Sequence, residues 1–169
     1  MELIGSRIIN APRAVVWSAL NDPDVLKACI PGCTDMIRDE DGGFTAVVTQ
    51  KVGPVKATFK GAVTLSDIVT QESYTISGEG KGGAAGFAKG GAKVKLADVD
   101  GGTELSYEVE ARVGGKLAQI GSRLVDGFAK KMADKFFANF QTALEGPDES
   151  DAPEETKKGW LKRLVSKGE

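Results

Sequence analysis

Glu104-Leu105-Ser106-Tyr107-Glu108-Val109-Glu110-Ala111-Arg112-Val113-Gly114-Gly115 is the stretch that decides the fold. Apolar Leu105, Tyr107, Val109 and Ala111 alternate with Glu104, Ser106, Glu108, Glu110 and Arg112, which predicts a strand with one buried and one solvated face. Gly114-Gly115 ends it. Lys116 to Leu144 then runs without proline, and Leu117, Ile120, Leu124, Phe128, Met132, Phe136, Phe137 and Phe140 recur at spacings of three and four. That pattern predicts one long amphipathic helix lying against a curved sheet. Gly121 and Gly127, costly inside a helix, are expected to mark close backbone approach or room left for something else.

Working back toward the N-terminus, period two persists to Thr34. Phe44, Ala46 and Val48 share one face, and so do Ala57, Phe59, Gly61, Val63 and Leu65; Tyr74, Ile76 and Gly78; and Ala92, Val94 and Leu96. Turn signals at Asp41-Gly42-Gly43, Gly53-Pro54 and Asp100-Gly101-Gly102 join these strands as hairpins in an antiparallel meander. Ahead of them, Glu2 to Ile9 reads as a first strand, with Asn10 and Pro12 as cap and first turn of a helix carrying Val15, Val16, Trp17 and Leu20. Asn21-Asp22-Pro23 separates that helix from a second around Val25 to Cys29, which stops at Pro31-Gly32. The order gives an α+β helix-grip fold: a curved antiparallel sheet wrapped around a long C-terminal helix, with two short helices after strand 1. Small concave-face residues, Ala57, Gly61, Gly78, Ala92 and Ala111, cannot fill the space under the helix, so an apolar cavity is expected.

This domain spans residues 1–145. Residues 146–155, Gly-Pro-Asp-Glu-Ser-Asp-Ala-Pro-Glu-Glu, read as an acidic flexible linker, and 156–169 as a basic amphipathic tail. On a helix, Trp160, Leu161, Leu164 and Val165 would share a face beside Lys157, Lys158, Lys162 and Arg163. Such a tail suits a membrane surface, a groove on a partner protein, or neither, as a disordered end.

The chain has 169 residues, 41% hydrophobic and 27% charged, with 22 basic against 24 acidic residues and a net charge of -2. That balance argues against nucleic acid as a partner. Histidine is absent, which removes the usual general base and the Ser-His and Cys-His pairs. Cys29 and Cys33 alone cannot complete a four-ligand zinc site, so no metal is expected. They read as small residues packing a tight turn, with a redox switch as the alternative. No signal peptide or membrane-spanning run is evident, so a cytoplasmic protein peripherally associated with the inner face of the cell membrane is expected.

Several motifs occur in one order: Ala11-Pro12-Arg13, Val16-Trp17, Leu20-Asn21-Asp22-Pro23, Leu26, Ile30-Pro31-Gly32-Cys33, Phe59-Lys60-Gly61, Ser66-Asp67, Gly78-Glu79-Gly80-Lys81-Gly82-Gly83, Ala85-Gly86-Phe87-Ala88-Lys89-Gly90, Tyr107-Glu108-Val109 and Val113-Gly114-Gly115-Lys116-Leu117-Ala118-Gln119. Together they resemble the CoxG family of carbon monoxide dehydrogenase subunits, within the START-like (SRPBCC) helix-grip superfamily, over residues 1 to 145. The resemblance implies a non-catalytic accessory protein of a molybdenum hydroxylase of the CO dehydrogenase type. It further implies binding of an isoprenoid quinone, menaquinone or ubiquinone, as a non-covalent ligand, and a link to the membrane respiratory chain. A recruitment or maturation factor without lipid binding is the alternative. A cavity enzyme related to cyclases or hydratases is a weaker third, given the missing histidine and outward-facing Glu104, Glu108 and Glu110.

The expected cavity wall comprises Trp17, Phe59, Phe87, Tyr107, Leu117, Ile120, Gly121, Leu124 and Phe128. Trp17 and Tyr107 combine apolar area with one hydrogen bond, which suits a quinone ring, though both also fit ordinary core packing. The helix phenylalanines Phe128, Phe136, Phe137 and Phe140 fit core better than a ligand box, and Leu117, Ile120, Gly121 and Leu124 are the better cavity candidates. The glycine-rich run Gly78 to Gly91 reads either as a mobile lid with Phe87 touching the ligand or as a flexible hairpin turn. A phosphate loop fits poorly, since Walker spacing is missing.

Overall fold

Among the described residues, seven strands pair antiparallel in the order β1-β7-β6-β5-β4-β3-β2, so every neighbour from β2 to β7 is also a sequence neighbour. They are β1 (Glu2–Ile9), β2 (Cys33–Arg38), β3 (Phe44–Val52), β4 (Val55–Val69), β5 (Ser73–Lys81), β6 (Phe87–Val99) and β7 (Gly102–Gly114). Helices α1 (Arg13–Leu20) and α2 (Pro23–Cys29) follow β1, and α3 (Lys116–Gln119) and α4 (Ser122–Glu145) follow β7. This computed structural model describes residues 1–146. The tail and the rest of the linker lie outside the described residues.

The register confirms the alternation seen in the sequence. Leu105 faces Leu96, Tyr107 faces Val94 and Val109 faces Ala92 across β6 and β7, all on the concave side. Glu108 is exposed on the other face, opposite Lys93. Ile9, Val16, Leu105 and Phe140 are almost wholly inaccessible and form the centre of the core, where α1, β7 and the end of α4 meet. Buried Thr103 is satisfied, because its Oγ1 donates to the Ala11 carbonyl at 2.7 Å. Asn139 of α4 donates to the Cys29 carbonyl at 3.0 Å, closing the end of α2 against the long helix.

Local chemistry differs from expectation in three places. The C-terminal helix is two helices, because Gly121 adopts φ +97 and stands as the N-cap of α4. A left-handed backbone there interrupts the helical ladder at no steric cost to glycine. Gly127 has open space around its Cβ position, so it marks no close approach. Asn10 does not cap α1: Pro12 occupies the N-cap without a side-chain bond, and the Asn10 amide donates instead to the Glu145 carboxylate. Asp22, by contrast, caps α2 by accepting from the Asp24 amide at 2.9 Å.

The glycine-rich run is mostly paired strand. Gly78 and Gly80 lie in β5, Gly90 and Gly91 in β6, and only the short turn around Gly83–Ala85 interrupts the ladder. The hairpin reading therefore describes it, and the lid reading does not. A side chain at Gly90 would overlap the Glu110 carbonyl, so this glycine permits the close approach of β6 and β7.

Candidate functional site

A cavity of about 450 Å³ lies between α4 and the concave face of the sheet. Its floor includes Ala46, Gly61, Val63, Leu65, Ile76, Ala92, Val94 and Val109; its roof is Met132, Ala133, Phe136 and Phe137 of α4. Leu20, Leu26, Ile30 and Pro31 close the end beside α1 and α2, with Met36 and Phe44 at the β2–β3 side. Ala46, Gly61 and Ala92 occupy the floor where larger residues would reach the helix, so the space stays open. Its size falls in the range of small-molecule sites.

No charged residue lines the cavity, and Tyr74 and Tyr107 bring the only hydroxyl groups among its lining residues. Burial pushes the Tyr74 phenol well above its ordinary value, so it stays protonated and can only act as a neutral donor or acceptor. Its ring meets Trp17 edge-on, with centroids 5.3 Å apart. Tyr107 stacks on Phe137 at 5.1 Å, and its hydroxyl passes over Gly5, where any side chain would collide with it. The Arg7 guanidinium sits 5.3 Å from the Phe137 ring centre and pairs with Asp134. That hydrogen bond raises the already high Arg7 pKa. The pair connects β1 to α4 beside the cavity.

Of the expected wall, Tyr107 lines the cavity. Trp17 is half-buried behind Tyr74. Phe59 shares the concave face but lies farther toward the β5–β6 turn, where its ring covers Gly82. Phe87 is on the opposite face, 43% exposed and packed over Gly114. Leu117 is buried in α3, which rests on β7 and the Gly83–Ala85 turn. Ile120 and Leu124 extend over the Gly53 turn, Leu124 being 51% exposed, while Gly121 faces open space and Phe128 stays outside the lining.

Two effects produce the shift. The break at Gly121 detaches Leu117 and Ile120 from α4; within α4 the helical period of about 3.6 residues carries Leu124 far round the helix from Phe136 and Phe140 and brings Val125 to their face, so Val125 is buried and Leu124 is not. The residues that sequence reasoning missed, Leu26, Ile30, Pro31 and Met36, sit on α2 and β2 or between them. Their apolar character was visible, but only the packing of α2 against α4 brings them to the cavity.

Cys29 is buried, which raises its thiol pKa, and Cys33 donates to the Asp35 carbonyl at 3.2 Å; both are free thiols. Among the described residues no cluster of three or more ligating side chains could hold a metal, and no helix is long and apolar enough to cross a membrane. Lys157, Lys158, Trp160, Leu161, Lys162, Arg163, Leu164 and Val165 lie outside the described residues.

Residues 5–145 match the family model of CoxG, a carbon monoxide dehydrogenase subunit. Among solved structures, a conserved protein from Geobacillus kaustophilus is similar at 31% identity and TM-score 0.79, covering 86% of this chain and 95% of that one. A protein from Rhizobium leguminosarum shares the fold at 20% identity and TM-score 0.66, covering 87% and 95%. Ara h 8.0201 does so at 16% and 0.59, covering 87% and 99%. These likenesses make the fold a helix-grip of the Bet v1-like kind. No curated protein matches the chain.

Proposed function

Because the chain belongs to the CoxG family of carbon monoxide dehydrogenase subunits, we propose that it is a non-catalytic accessory protein of a molybdenum hydroxylase of the CO dehydrogenase type. In this reading it carries an isoprenoid quinone between that enzyme and the membrane. The observation that carries the reading is the cavity: about 450 Å³, apolar on every side, with two tyrosines as its only hydroxyl-bearing residues. An apolar ring with carbonyl acceptors and an isoprenoid chain fits such walls, whereas a charged or sugar-like ligand would lose its hydration without repayment.

The same lining argues against chemistry by this chain. A general acid or base must reach the reacting atom, and no carboxylate, lysine or cysteine lines the cavity. Electron transfer then belongs to the dehydrogenase and the quinone, and this chain binds, shields and delivers. In this reading residues 156–169, which combine Lys157, Lys158, Lys162 and Arg163 with Trp160, Leu161, Leu164 and Val165, supply the reversible membrane contact.

Native mass spectrometry with organic extraction, on full-length protein purified from quinone-containing cells, tests the reading. A mass increment matching an isoprenoid quinone is expected. A clean apo mass that persists after incubation with quinone-loaded vesicles would overturn it and leave recruitment or maturation of the dehydrogenase as the function.

A further inference from the structure

The folded domain is electrically polarised, although its net charge is small. At the pole formed by the β3–β4 and β5–β6 tips, α3 and the start of α4, the exposed side chains include Lys51, Lys56, Lys81, Lys116 and Arg123. The acids nearest them are Glu79, which pairs with Lys81 at 3.7 Å, and Asp126, with Glu2 and Glu110 lower on the sheet. The opposite pole is acidic: Asp39, Glu40 and Asp41 stand in the β2–β3 turn, Glu72 between β4 and β5, and Asp98 and Asp100 about the β6–β7 turn. Among the described residues, Lys81 is the one member of the basic set in an ion pair.

The same end of the fold carries an apolar tip. Leu124 is 51% exposed, and its Cδ1 lies with that of Ile120 over the Gly53 turn; Lys51 and Lys56 flank that turn in the chain, on the sheet face away from the helix, and Lys116 and Arg123 stand at the starts of α3 and α4. An exposed leucine at an end of the fold rich in long basic side chains matches a bilayer interface, where the leucine enters the acyl boundary and the ammonium groups stay at the headgroups. Between this pole and the cavity, the concave face carries Gly80, Ala88, Gly90 and Ala111, all partly exposed and too small to fill the space beneath a helix.

We infer that this pole is a membrane-docking surface for anionic lipid, built into the folded domain and separate from the C-terminal tail. The choice of a membrane as occupant rests on the quinone-carrier reading. The pole places the small-residue strip, and the cavity beyond it, toward the bilayer.

The test is co-sedimentation of the full chain with vesicles of phosphatidylglycerol and phosphatidylcholine, against phosphatidylcholine alone. The variant Lys51→Glu/Lys56→Glu/Lys116→Glu/Arg123→Glu is expected to lose anionic-vesicle affinity by about tenfold or more. Leu124→Glu, one exposed position that leaves the core intact, should weaken binding in the same direction. Glu40→Lys/Glu72→Lys/Asp100→Lys, at the opposite pole, should bind at least as well as the parent. Unchanged binding by the fourfold variant and by Leu124→Glu would overturn the inference, whether the pole then faces an acidic protein or water. Quinone occupancy from detergent solution, measured by mass on the same proteins, separates the two readings: occupancy without pole-dependent docking sinks only this inference, and docking without occupancy sinks only the carrier.

Discussion

Tyr107 of β7 and Phe137 of α4 stack with ring centroids 5.1 Å apart and planes inclined by 18°. The contact joins the floor of the cavity to its roof. Arg7 of β1 approaches the same Phe137 ring and pairs with Asp134, one turn earlier on α4. This side of the grip is thus held by aromatic area and by an ion pair. The two are not equal in worth, since Asp134 is about half exposed and its pair is screened by water.

Breaking the ion pair should therefore cost little. Asp134→Ala is expected to lower stability by about 0–1 kcal/mol, less at high salt. Phe140→Ala, at a position with no exposed surface, should cost about 3–5 kcal/mol through lost burial and an unfilled hole. Urea unfolding at low and high salt checks both; equal losses would show that the latch is misjudged.

Filling the cavity should separate folding from binding. A Cβ at Gly61 would meet nothing closer than 3.6 Å, so Gly61→Leu should fold and occupy floor space under α4. Quinone occupancy by native mass should fall sharply in this variant. Leu124→Gln, outside the lining, should leave occupancy in detergent unchanged. The reverse pattern would move the ligand toward α3.

Two glycine-to-alanine changes should have opposite signs. Gly127→Ala, in the interior of α4 with open space around it, should stabilise by about 0.5–1 kcal/mol. Gly86→Ala must adopt φ +110 and overlap the Gly114 carbonyl, a strain of about 1–3 kcal/mol or more. Thermal unfolding of the pair would settle the signs.

Alkaline pH should destabilise the domain through Tyr74. Burial raises its folded-state pKa above the unfolded value, so its contribution is whole below the ordinary phenol pKa of about 10 and declines as pH rises beyond that toward the folded value. Tyr74→Phe should show a shallower loss of stability above about pH 10 than the parent. Parallel slopes in urea titrations across that range would remove Tyr74 from the account.

Alkylation should discriminate the cysteines. Cys29 is buried and its thiol is pushed up, whereas Cys33 is partly exposed, so iodoacetamide should modify Cys33 first in the native protein. Peptide mapping over time reads the order, and faster labelling of Cys29 would mean that the end of α2 opens readily.

The strand pattern was legible because side-chain alternation is local: Leu105, Tyr107 and Val109 face inward in the register that their spacing predicts. Hairpin order followed from turns at Asp41-Gly42-Gly43, Gly53-Pro54 and Asp100-Gly101-Gly102, each read from a few neighbouring residues. The start of α4 was not legible. Spacings of three and four continue across Gly121, and only the left-handed backbone that glycine adopts there separates Leu117 and Ile120 from α4, while the drift of a four-residue spacing against the helical period of about 3.6 residues leaves Leu124 outside the face that Val125 shares with Phe136 and Phe140. Phe87 was misplaced for a related reason, since a glycine-dense run hides which residue begins the next strand and hence which face it takes.

The sequence by itself determined the one-faced strands, their antiparallel order, the helical layer above them and the small residues that keep the space between open. Only tertiary structure decided where that space lies: beneath Met132, Phe136 and Phe137, with Leu26, Ile30 and Pro31 of distant segments closing it. It also gathered the cations of two hairpin tips and two helices at one pole. The physical reason is the same in both cases. Alternation and helical period act between neighbours in the chain, whereas a cavity wall and a charged pole are sums over segments that meet only when the sheet bends around α4.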